Sequence, residues 1–103
     1  MALMRSRYAA YSMGLVDYIV ESTHRSSTHY LVDVAQWKAS IESFCNKHDF
    51  IGLTIEKSES RDEEGSVQFT AHLMQKAQNC SFREHSTFRK CENGFWKYFA
   101  AID

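Results

Sequence analysis

The chain has 103 residues, with 12 Lys and Arg against 13 Asp and Glu, a formal net charge of −1. That length fits one small domain, and a hydrophobic fraction of 44% with 14% aromatics excludes global disorder. The near-zero charge excludes the basic footprint of a nucleic-acid binder. The longest unbroken apolar run, Tyr98 to Ile102, is too short for a membrane span or for the apolar stretch of a signal peptide.

The first half reads helical. Met4, Tyr8, Tyr11 and Leu15 recur at three- and four-residue spacing as one apolar stripe, and Gly14 breaks or bends that run. Leu15, Val16, Ile19 and Val20 predict a second, short helix ending near Glu21 or Ser22. Thr23 to Tyr30 is rich in Ser, Thr and His and reads as a loop. Asp33, with Gln36 three residues on, is an N-cap signal. Val34, Trp37, Ile41, Phe44 and Cys45 mark the buried face of the helix that follows. Lys47 and His48 sit in its last turn, where positive charge suits the helix dipole.

The second half switches to period two. Ile51, Leu53 and Ile55 alternate with Gly52, Thr54 and Glu56 in a first strand. Ser58 to Gly65 is charged and ends in Gly, as a hairpin loop does. Val67, Phe69, Ala71 and Leu73 form a second strand's apolar set, and Lys76 to Asn79 turn the chain. Phe82, Glu84, Ser86 and Phe88 share one face of a third strand. Asn93-Gly94 predicts a type I′ turn, in which both central residues have positive φ, and Phe95 to Ile102 is the last strand. Helices followed by an antiparallel meander, without βαβ alternation, make an α+β fold. Three N-terminal helices packed on a curved four-stranded sheet would enclose a cone-shaped cavity, a common kind of ligand site.

The three cysteines, Cys45, Cys80 and Cys91, include no Cys-x-x-Cys pair. No metal site is expected from that spacing; free thiols in a reducing, cytoplasmic setting are. Proline is absent, so turns fall to Gly, Asn, Asp and Ser.

The run Leu3-Met4-Arg5-Ser6-Arg7-Tyr8-Ala9-Ala10-Tyr11 resembles the opening of the middle domain of YchJ-like bacterial proteins, which occur with zinc-binding SEC-C motifs. Asp17-Tyr18 to His24, Gly52-Leu53-Thr54, Val67-x-Phe69-x-Ala71, Glu84-x-Ser86-x-Phe88 and Asn93-Gly94-x-Trp96-x-Tyr98 follow in the family's order. The resemblance covers about residues 3 to 99 and implies a nuclear-transport-factor-two-like, cystatin-like α+β roll. It departs at Thr23, where the family has Trp, and at Ala100-Ala101, where the family has Asp-Gly. The family's flanking cysteine clusters are absent, and the first residue falls almost at the domain's start. A stand-alone copy or an excised domain is therefore expected. The resemblance implies no settled activity, since folds of this class host many functions.

Strand parity turns Glu84 toward the helices beside Phe82 and Phe88. Two readings stand: a desolvated carboxyl acting as general acid or base, or a buried ion pair with Arg5 or Arg7 locking helix to sheet. Arg7, Tyr8, Tyr11, Trp96 and Tyr98 are candidate ligand contacts, against the plainer reading of aromatic core. His24, at the cavity rim, is a candidate proton partner for Glu84, against a loop His bonded to backbone. His72 and His85 alternate to the outer sheet face. Phe95 and Phe99 share the parity opposite to Trp96 and Tyr98, and bare aromatics there would favour a homodimer through the sheet.

No nucleophile elbow or glycine-rich phosphate loop is present in the sequence. The leading expectation is a non-catalytic binding or interaction module for a small apolar ligand, with no cofactor, no nucleic acid and no membrane partner. The alternative is a cofactor-free isomerase or dehydratase: Glu84 as general base, His24 as proton partner, Tyr8 or Tyr98 donating to a developing oxyanion. The association with SEC-C motifs suggests a third reading, a protein-binding accessory in quality control or export.

Overall fold

The computed structural model describes residues 2–102. Helix α1 (Ala2–Met13) turns Met4, Arg7 and Ala10 inward at three-residue spacing. Gly14 ends it in the left-handed region at φ +69°. The Leu15 amide bonds back to the Ala10 carbonyl at 2.8 Å and the Gly14 amide to Tyr11 at 3.2 Å, the double closure of a Schellman cap. Helix α2 (Val16–Glu21) buries Ile19 and Val20. Helix α3 (Val34–Lys47) starts where expected, with the Asp33 carboxylate accepting the Gln36 amide at 3.0 Å, and it buries Trp37 and Ile41.

The strands are β1 (Asp49–Arg61), β2 (Glu64–Gln75), β3 (Gln78–Asn79), β4 (Phe82–Lys90) and β5 (Trp96–Ala101). The four expected strands run antiparallel in the order β1-β2-β4-β5, and the two-residue β3 pairs with the end of β2. β2 is the centre of the sheet, with Val67, Phe69, Ala71 and Leu73 all buried on its inner side. One core forms where Met4 meets these residues and Phe88; a second joins Ala10, Ile19, Val20, Trp37 and Ile41 between the helices. No helix among the described residues is long and apolar enough to cross a membrane.

Three irregularities bend the sheet around the helices, and the period-two pattern does not reveal them. β1 pairs Phe50 with Leu73 but Gly52 with His72, so Ile51 is an extra residue. Ile51 is 65% exposed, while Phe50 and Leu53 on either side pack on the core. Glu56 is extra in the same strand, and Phe99 in β5. Such bulges raise local twist and curve the strand that carries them.

The turns also differ from expectation. The strands close over Ser58 to Gly65, leaving only Asp62 and Glu63 between paired residues. Asn93 does not have positive φ; Gly94 alone does, at +84°. The Gly94 amide bonds to the Cys91 carbonyl and the Cys91 amide to the Phe95 carbonyl, each at 2.9 Å. This is a type I turn closed by a left-handed glycine. The paired positive-φ turn occurs instead at Lys76 (+49°) and Ala77 (+66°), with no glycine to ease it.

Phe95 therefore lies in a turn ahead of β5. Phe99 is not bare on the outer face, because the Arg89 guanidinium covers its ring at 3.7 Å. The outer face is otherwise polar. Arg83 Nε donates to Glu56 at 2.7 Å, Thr70 donates to the same carboxylate at 3.3 Å, and Thr54 bonds to His72 Nε2 at 2.9 Å.

Candidate functional site

A cavity of about 470 Å³ remains between the curved sheet and the helices. Its apolar walls are Met4 and Tyr8 of α1, Trp37, Ile41 and Phe44 of α3, and Phe50, Phe69 and Leu73 of the sheet. Thr28, His29 and Leu31 of the long loop stand on its wall, with Ser40 and Phe82. One region is polar: Arg7, Tyr11, Thr23, Glu84, Ser86 and Tyr98.

Arg7 is the principal polar group. It is only 5% exposed. Its Nη1 donates to the Ile19 carbonyl at 3.2 Å, to Ser22 Oγ at 2.6 Å and to Thr23 Oγ1 at 3.2 Å. Its guanidinium carbon stands 4.6 Å from the centre of the Tyr98 ring. Burial pushes its pKa below the usual arginine range, partly opposed by Tyr11, Tyr98 and Tyr18 and then Glu84. The expected ion pair with Glu84 does not form, and Arg5 is exposed. The physical reason is local competition. The end of α2 frees the Ile19 carbonyl, and a helix C-terminus favours a cation. The hydroxyls of Ser22 and Thr23 donate to that same carbonyl, at 3.3 and 2.8 Å, and present their own lone pairs to Arg7.

The Glu84 carboxylate, also on the cavity lining, accepts a hydrogen bond from Ser86, whose side chain is fully buried. Tyr98 packs edge-on against Phe88 at 5.8 Å. Its phenol is pushed up to about 12, first by burial and then by the Glu84 carboxylate. Burial likewise raises Tyr11, with the Arg7 charge opposing it. Tyr11 packs edge-on against Phe44 at 5.7 Å. The Tyr8 hydroxyl donates to the His72 carbonyl at 3.3 Å, so its oxygen is tied to the sheet backbone.

Five residues singled out in the sequence thus line the cavity: Arg7, Tyr8, Tyr11, Glu84 and Tyr98. Two do not. His24 is tied into a short parallel bridge between the loop and β5, its amide bonding to the Tyr98 carbonyl at 2.8 Å. Its Nδ1 accepts the Ser26 amide at 3.0 Å and its ring packs on Phe99, away from the cavity lining. Trp96 packs on the core beneath Lys90, whose ammonium lies 5.2 Å from the ring. His29, which sequence reasoning passed over, faces the cavity 5.6 Å from the Tyr98 ring. Nothing in its Ser- and Thr-rich surroundings separates it from His24. Ser86 was detectable: it lies two residues from Glu84 on the same strand face. Ser22 and Thr23 carried no such signal, because their role depends on where α2 stops relative to α1.

The family described as YchJ, middle NTF2-like domain, matches residues 1–101. A UPF0225 protein of Vibrio parahaemolyticus is 40% identical over 100 residues, covering 93% of this chain and 54% of its own. A SEC-C motif-containing protein of Rhodopseudomonas palustris, solved in solution, superposes with a TM-score of 0.85 at 31% identity, covering 99% of this chain and 77% of that one. A second SEC-C motif-containing protein, from Psychrobacter arcticus, gives a TM-score of 0.72 at 25% identity over 98% of this chain and 56% of that one. The chain thus spans about half the length of the Vibrio relative.

Proposed function

The chain belongs to the YchJ middle-domain family of NTF2-like folds, and from that premise we propose that it is a non-catalytic binding module that encloses a small apolar ligand. The observation that carries this reading is the cavity itself. It has the size of a small-molecule site, apolar walls on three sides, and a few convergent polar groups at one place. The three free thiols fit work in a reducing compartment, which we take to be the cytoplasm.

The alternative, a cofactor-free isomerase or dehydratase, has one observation in its favour: the Glu84 carboxylate shares the cavity with the Tyr98 hydroxyl. Its other half has less support, since His24 is turned into the loop.

An amide NMR screen of small apolar compounds tests the binding reading. Shifts are expected to cluster on Tyr8, Glu84 and Tyr98, and to vanish in Ser40→Phe, which adds a ring to the cavity lining from an exposed position on α3. Absence of any shift there across the screen refutes it. Turnover of a bound carbonyl compound that is lost in Glu84→Gln with binding retained would transfer support to the enzyme reading.

A further inference from the structure

The polar end of the cavity is charged on both sides without being paired. Arg7 is more than nine-tenths buried, and no carboxylate reaches it as an ion-pair partner. Its hydrogen bonds to Ile19, Ser22 and Thr23 all leave from Nη1, and the Tyr11 hydroxyl lies beside the guanidinium. Its remaining N–H groups belong to a side chain on the cavity lining, and no buried side-chain nitrogen or oxygen among the described residues lacks a hydrogen-bond partner. The Glu84 carboxylate lines the same cavity, held by Ser86. A buried guanidinium is costly unless its donors are used.

We infer that this end of the cavity selects a ligand head that is neutral overall and carries a hydrogen-bond acceptor beside a donor, the pattern of a carboxamide or lactam. The inference rests on the binding reading above and adds the chemistry of the head group. An amide carbonyl accepts from Arg7 while its N–H donates to Glu84, so both protein groups are satisfied when water leaves. A carboxylate satisfies Arg7 but brings a second negative charge toward Glu84. A hydrocarbon displaces water and leaves the remaining Arg7 donors and Glu84 lone pairs unused, which makes it the poorest use of a polar lining. The apolar walls take the body of the ligand in all three cases.

Calorimetric titration with phenylpropanamide, phenylpropanoate and propylbenzene tests this, because the three share a body and differ only in the head. The amide is expected to bind about tenfold more tightly than either of the others. In Glu84→Gln, which keeps the side-chain shape and an acceptor for Ser86, the carboxylate should gain about tenfold and draw level with the amide. Equal binding of the three compounds, or tightest binding of the carboxylate to the unaltered protein, overturns the head-group inference and leaves the binding module intact. Failure of all three to bind refutes the binding module and this inference with it. Binding that persists undiminished in Ser40→Phe refutes the cavity as its location.

Discussion

Replacing Arg7 with Met tests whether this residue joins α1, α2 and the sheet as the structure indicates. Met keeps much of the apolar stem and removes the guanidinium, so the change isolates the polar clamp. The two N–H groups of Nη1, shared among three acceptors, are lost, each N–H worth roughly 1.5–3 kcal/mol before desolvation is counted. Two terms reduce the sum. The Ser22 and Thr23 hydroxyls keep their bonds to the Ile19 carbonyl, and the protein no longer has to bury a charge. We expect a net destabilisation of about 2–4 kcal/mol, a fall in Tm of roughly 10–25 °C for a domain of this size. Urea unfolding followed by the fluorescence of Trp37 and Trp96 measures it, and Arg5→Met, exposed on the same helix, should stay within about 0.5 kcal/mol of the parent. A double-mutant cycle with Tyr98→Leu should return a coupling of about 1–2 kcal/mol for the guanidinium over the ring. An Arg7→Met protein as stable as the parent, or a coupling near zero, refutes the reasoning.

Two further predictions follow from the backbone and from the phenol in the cavity. Ala77→Gly should raise stability by about 1 kcal/mol in the same urea assay, because Ala77 holds φ at +66° where a Cβ is unfavourable; an unchanged or lower midpoint refutes strain at that turn. Tyr98 should keep its proton to about pH 12 when tyrosinate absorbance is followed, and Glu84→Gln should lower that step. Its folded pKa lies above the ordinary 10.0, so its contribution to stability is whole below about pH 10 and is lost as pH rises toward about 12. A step that does not move in the variant rules out the Glu84 charge as a cause.

Much of this architecture is decided by short stretches of chain. The Asp33 carboxylate caps α3 because a side-chain acceptor three residues before a free amide needs no distant partner. Gly14 stops α1 because only glycine takes φ +69° without steric cost. The alternation of Val67, Phe69, Ala71 and Leu73 sets which face of β2 meets the helices, since a strand's side chains alternate whatever it pairs with. Those local rules were enough to indicate an α+β fold with a cavity between helices and sheet, and to turn Glu84 toward it.

What the tertiary structure alone decided is how competing partners were shared. Arg7 had Glu84 in prospect, yet the carbonyl and hydroxyls at the end of α2 took its Nη1, and that choice leaves a cation and an anion separated in one cavity. His24 and His29 sit in one featureless loop, and the bridge from Thr23 to Tyr98 turns the first away and leaves the second facing the cavity. The bulges at Ile51, Glu56 and Phe99 carry no residue signature, because an extra residue in a strand is defined by its partner's register rather than by its own chemistry. Local sequence sets the elements and their inward faces through short-range sterics and periodicity. The site depends on which of several adequate acceptors lies nearest once those elements have packed.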